Sequence, residues 1–181
     1  MKYFTKEIWA AHQTTDYAET LRANEASDRS AREYRQQLEP LLPRLSKRDR
    51  FFFTGGEILH DGRLIEFIAG DEVGHDVHGP KKFNINAHHT SVLMKVLGCD
   101  LDVLYTLKYM KVKRVIFDYP TADPLFHKEG AHIGDWGYDE LTDAGDGYLR
   151  HEVLFASGTT ILIEFKHFSY KKEDCEGTRY L

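Results

Sequence analysis

No glycine occurs before Gly55, and all 14 glycines of the 181-residue chain lie from there onward. That division constrains the fold more than any motif does. The first fifty residues are rich in Ala, Glu, Arg and Gln, side chains that lose little freedom in a helix. Beyond them, glycine-containing breaks separate short runs in which apolar and polar residues alternate, the pattern of half-buried strands. A chain of this length fits one domain, able to bury about 70% of its unfolded surface without disulfide or metal staples. The expected division is a helical part over 1–48, a β part over 51–170 and a tail over 171–181.

The hydroxyl of Thr5 is placed to cap a first helix carrying Ile8, Trp9 and His12 on one side, with Glu7 at the positive end of its dipole. A second helix is expected from near Ser27-Asp28, on the spacing of Tyr34, Leu38, Leu41 or Leu42, and Leu45. Pro40 and Pro43 end or kink it. Strand character is read from Phe51-Phe52-Phe53, broken at Gly55-Gly56, and then over Arg63 to Ala69, Thr90 to Leu97, Leu101 to Tyr109, Lys113 to Phe117 and Ile133 to Leu141. The glycine- and histidine-rich stretch Asp71 to His89 reads as loops around a short strand at Phe83, Ile85 and Ala87.

The closing hairpin offers two registers. A three-residue Ala156-Ser157-Gly158 loop pairs Val153 with Ile161, Leu149 with Phe165 and Arg150 with Glu164. A two-residue loop would set His151 against Glu164 and Leu149 against Lys166, mixing charge into an apolar face. The first register is expected, with His151 a core histidine beside Leu149 and Val153. The resulting fold class is α+β: two N-terminal helices packed on a predominantly antiparallel sheet of about seven strands, ending in a three-strand meander.

The helical start Met1 to Glu7, the segment Leu59-His60-Asp61-Gly62-Arg63, the strand Trp136-Gly137-Tyr138-Asp139-Glu140 and the closing hairpin together resemble a family of small cytosolic bacterial proteins, common in bacilli, with no assigned activity. The chain is also similar, more distantly, to small antiparallel-sheet immunity-type proteins. The family pattern has Ser or Ala where this chain has Gly62, and lacks the histidine-rich insertion between Asp71 and His89. The resemblance implies an α+β fold with an antiparallel sheet and carries no catalytic residues.

The 24 basic and 29 acidic side chains give a net charge of −5, which argues against a dedicated nucleic-acid binder. Lys108, Lys111, Lys113 and Arg114, interleaved with Tyr105, Tyr109 and Phe117, read as the solvated side of a sheet. Phosphate-loop, dinucleotide-turn and nucleophile-elbow signatures are missing. With no apolar run of signal-peptide or membrane-spanning length, and only Cys99 and Cys175 as thiols, the expectation is a reducing cytoplasm and no membrane partner.

Three groups carry candidate chemistry. His75, His78, His88 and His89 supply the imidazoles that zinc or another divalent transition metal takes, the alternative being exposed loop histidines. His60-Asp61 pairs an imidazole with a carboxylate, and direct contact between them requires a turn; the structural reading is an Asp-Gly turn. Asp135, Trp136, Tyr138, Asp139 and Glu140 place aromatics among carboxylates, a pattern suited to anchoring a basic protein partner. The function expected is a non-enzymatic protein-binding or immunity-like module; the alternative is a metal-dependent enzyme built on the histidine-rich segment.

Overall fold

The computed structural model describes residues 1–12, 15–75, 83–119 and 132–176, with side chains described for all of these except 72–75 and 83–88. Helix α1 spans Lys6–Ala11, and Thr5 caps it, its hydroxyl accepting the Ile8 amide at 3.4 Å. Helix α2 spans Tyr17–Leu38, so it begins well before the expected Ser27-Asp28. Asp16 caps it by accepting the Glu19 amide at 3.0 Å. The early turns gave no apolar stripe to detect, since Tyr17 and Leu21 are exposed and Ala23 is the single buried residue ahead of Leu38.

Pro40 and Pro43 tighten the chain into a 3-10 turn, Glu39–Arg44. Ser46 then caps helix α3, Lys47–Phe51, which runs into a wide π-type turn, Phe52–Gly56. This corrects the strand expected at Phe51-Phe52-Phe53: Phe52 and Phe53 are buried from a helical turn that closes at Gly55, whose φ of 85° favours glycine.

Eight strands follow: β1 Arg63–His75, β2 Phe83–Leu97, β3 Val103–Met110, β4 Arg114–Asp118, β5 Trp136–Gly145, β6 Tyr148–Phe155, β7 Thr160–Phe165 and β8 His167–Asp174. They form two antiparallel four-stranded sheets, in the orders β1-β2-β3-β8 and β4-β7-β6-β5. The architecture is α+β, as expected, but with eight strands in two sheets in place of about seven in one. The additional strand is β8, which buries Phe168 and Tyr170 and leaves lysines outside. The strand expected at Phe83, Ile85 and Ala87 is present as the start of β2, while the loops read on either side of it are corrected where described: β1 runs on to His75, and β2 continues unbroken from Phe83 through His89.

One core joins the two sheets. Val92, Met94 and Val96 of β2, and Leu107 and Tyr109 of β3, share it with Leu149, Val153 and Phe155 of β6 and Ile161, Ile163 and Phe165 of β7. Each such side chain contributes roughly 1.5–3 kcal/mol when fully buried. The hairpin register is the expected one, pairing Leu149 with Phe165, Arg150 with Glu164 and Val153 with Ile161, with Gly158 at a φ of 80° in the loop.

The expected packing of helices on a sheet face is replaced by a more specific arrangement. Helix α2 seals the free edge of β5: the Tyr34 hydroxyl accepts the Leu141 amide at 2.9 Å, and the Gln37 side-chain amide donates to the Leu141 carbonyl at 2.6 Å. An uncovered edge strand invites pairing with another chain, and these two side chains remove that opportunity at Leu141. Among the described residues no helix is long and apolar enough to cross a membrane.

Candidate functional site

A bulge in β5 builds the site. Its register against β6 slips between Trp136, opposite Phe155, and Tyr138, opposite Leu154. Simple alternation would put Trp136 and Asp139 on opposite faces; the extra residue, Gly137, puts both toward the core. Glycine suits the position, because a Cβ there would lie 3.0 Å from the Leu154 carbonyl and 3.1 Å from the Trp9 ring.

Asp139 is consequently held from two sides. The Trp136 indole donates to Oδ1 at 3.1 Å, and Nε2 of His151 lies 3.2 Å from Oδ2. The other nitrogen of His151, Nδ1, is 2.7 Å from the Tyr109 hydroxyl. Burial, and then the Asp139 charge, push the Tyr109 pKa well above its ordinary value, so the hydroxyl keeps its proton. The arrangement that satisfies every atom has Tyr109 donating to Nδ1 and His151 donating from Nε2 to Asp139. Phe53 meets the imidazole edge-on at 5.2 Å.

Asp139 opens into a cleft of about 480 Å³ between α2 and the Phe52–Gly56 turn, walled by Phe4, Tyr34, Leu38, Leu42, Phe52 and Phe53. Its side chain lines the cleft and is 32% exposed. Burial, followed by the charge of Asp139, raises the Tyr34 pKa. Arg35 and Glu39 also line the cleft, as does Glu57, which is already engaged by the Tyr105 and Tyr170 hydroxyls at 3.2 and 3.1 Å and by Lys172 at 2.9 Å. Burial and then the charge of Glu57 push Tyr105 up to about 12. Among the described residues Asp139 has no lysine or arginine in hydrogen-bond contact, and it meets the cleft beside aromatic walls.

The five residues expected to form one acidic, aromatic surface are divided by the bulge and by burial. Trp136 and Glu140 are 1% and 0% exposed, which leaves neither free to anchor a partner from the surface. Glu140 accepts the amides of Lys2 and Tyr3 at 2.5 and 2.9 Å, and that of Phe4 at 3.4 Å, holding the N-terminal segment on the outer side of β5. Tyr138 is half-buried, stacked on Phe4 at 5.6 Å and edge-on to Trp9 at 5.4 Å. Asp135 pairs with Arg63 at 3.1 Å. Only Asp139 reaches the cleft.

His60 and Asp61 do touch, Nδ1 to Oδ2 at 3.0 Å, both exposed. The turn this contact needs is present, with Asp61 at a φ of 63°. Of the proposed metal ligands, His78 lies outside the described residues. His75 stands opposite Phe83 and His89 opposite Glu72, on separate rungs of the β1–β2 ladder, and His88 precedes His89 on β2. Among the described residues no group of three or more His, Cys, Asp or Glu side chains is arranged to hold a metal ion. Tyr105 and Tyr109, read beside the lysines of β3, are buried in the core.

The sequence reading missed the partnership of Tyr109, His151 and Asp139 and the cleft walls Phe52 and Phe53. Two signals pointed toward them: a glycine inside the strand Trp136 to Leu141, which marks a bulge, and a histidine on the apolar face of β6. Comparison with protein-family models, with curated proteins and with solved structures gives no match. The fold and the site define a two-sheet α+β protein with a carboxylate at the base of an aromatic cleft.

Proposed function

We propose that the protein is a non-enzymatic, immunity-like binding module that receives a basic side chain of a protein partner in the cleft above Asp139. The observation that carries this reading is the fixed carboxylate beneath aromatic walls. A cationic head gains from the charge and from the ring faces, while its aliphatic stem packs against Leu38, Leu42 and the phenyl groups. Holding Asp139 by Trp136 and His151 spends its ordering cost before the partner arrives, which favours affinity. Both ring nitrogens of His151 are engaged, which supports a positioning role over proton transfer. The metal-enzyme alternative has weaker support, since His75 and His89 occupy separate rungs.

Titration with a short peptide rich in lysine and arginine, followed by amide NMR shifts, tests the proposal. Shifts should centre on Tyr34, Phe53 and Asp139 and shrink as salt is raised, because opposite charges near a surface are screened. Shifts elsewhere, or insensitive to salt, would contradict it.

A further inference from the structure

The two edges of the second sheet are treated differently. Side chains of α2 bond the edge at β5, whereas β4, at the opposite end of the strand order, pairs with β7 alone among the described residues. This edge, unpaired among the described residues, reads Arg114-Val115-Ile116-Phe117-Asp118, a positive end, three apolar residues and a negative end. Ile116 and Phe117 remain 36% and 39% exposed.

We propose that β4 pairs antiparallel with β4 of a second copy of this chain about a two-fold axis at Ile116, merging two four-stranded sheets into one. A two-fold contact must be complementary to itself, and this strand is. The axis sets Arg114 opposite Asp118 of the second copy, Val115 opposite Phe117, and Ile116 opposite its own counterpart. Residues directly opposite in an antiparallel pair share a face, so the charges meet on the same face as the isoleucines.

The neighbouring strands extend the pattern. On that face Arg150 of β6 bonds Glu164 of β7 at 2.7 and 3.1 Å, and Glu164 stands opposite Arg114 in the register with β4. Asp118 of a second copy continues the row with alternating charge. The other face places Val115 of the second copy over Phe117, which already meets Phe67 of β1 edge-on at 5.3 Å. A contact built on one short strand is small, so the dimer is concentration-dependent.

Sedimentation velocity over a range of concentrations tests this on the full chain. The wild type should show a monomer–dimer equilibrium. Arg114→Asp and Asp118→Arg, each placing two like-charged pairs across the axis, should each weaken it by about tenfold or more. Mixed in equal amounts, the two variants should restore the dimer, since both charge pairs are then opposite in sign. Ile116→Lys should abolish it. Circular dichroism confirms the fold of each variant; if Arg114→Asp, which lies beside Glu164, does not fold, Asp118→Arg and Ile116→Lys decide the question. A wild type monomeric at every concentration overturns the proposal, as does a dimer unaffected by these substitutions or folded single variants that fail to associate on mixing.

Discussion

The Tyr109 hydroxyl lies 2.7 Å from Nδ1 of His151, a bond that joins β3 of one sheet to β6 of the other. Both side chains are buried, at 0% and 1% exposure, so neither atom has water as a substitute. Tyr109→Phe keeps the ring and strands the imidazole nitrogen. The expected loss is about 1–3 kcal/mol of unfolding free energy, read from denaturant midpoints at unchanged slope; an unaltered midpoint would show that the bond does not contribute.

The raised tyrosines make stability sensitive to alkali. An unfolded tyrosine ionises near pH 10, whereas burial raises Tyr34 and Tyr109, and burial with Glu57 raises Tyr105 to about 12. With folded-state values above the unfolded one, their contribution is complete below about pH 10 and falls as pH rises toward the folded values. Denaturant titrations at about pH 9 and about pH 11 should show a lower stability at the higher value, with these phenols ionising as the chain unfolds. Equal stability at both would contradict the burial of these hydroxyls.

The closing hairpin was legible because one register matched apolar with apolar and Arg150 with Glu164, while its rival did not. Thr5 was legible as a cap for the same local reason. The start of α2 was hidden because its first apolar residues, Tyr17 and Leu21, are exposed and form no stripe. The π-type turn at Phe52–Gly56 was hidden because three consecutive phenylalanines satisfy a strand pattern as well as a buried helical turn. The site itself depended on Gly137: without the bulge, alternation assigns Trp136 to the face of Tyr138 and Glu140, and its partnership with Asp139 is lost from view. The Tyr109–His151 bond joins residues 42 apart in the chain, a separation that no local pattern reports.

Gly62 carries a backbone requirement. A Cβ at this position would stand 2.8 Å from the carbonyl oxygens of both Leu59 and Leu97, and the Gly62 carbonyl accepts the Trp136 amide at 2.7 Å. Gly62→Ala should therefore cost about 1–3 kcal/mol. Thermal unfolding checks it, and an unchanged midpoint would mean that the turn relaxes freely.

Glu140 is buried and holds three consecutive backbone amides of the N-terminal segment. Hydrogen bonds to a charged acceptor are worth about 1.5–3 kcal/mol, and Glu140→Gln removes the charge and turns one acceptor into a donor. A loss of roughly that size is expected, with faster hydrogen exchange at Tyr3 and Phe4. Exchange left at the wild-type rate would place the anchor of this segment elsewhere.

The cleft above Asp139 is central to the functional proposal, and calorimetric titration with the same lysine- and arginine-rich peptide tests it most directly. Wild type and Asp139→Asn are compared at low salt, with thermal unfolding used to confirm that the variant is folded. The expected result is binding to the wild type that falls by about tenfold or more in Asp139→Asn, the measure of one charge-assisted contact. Equal affinity for the two folded proteins, or no binding to the wild type, would contradict it.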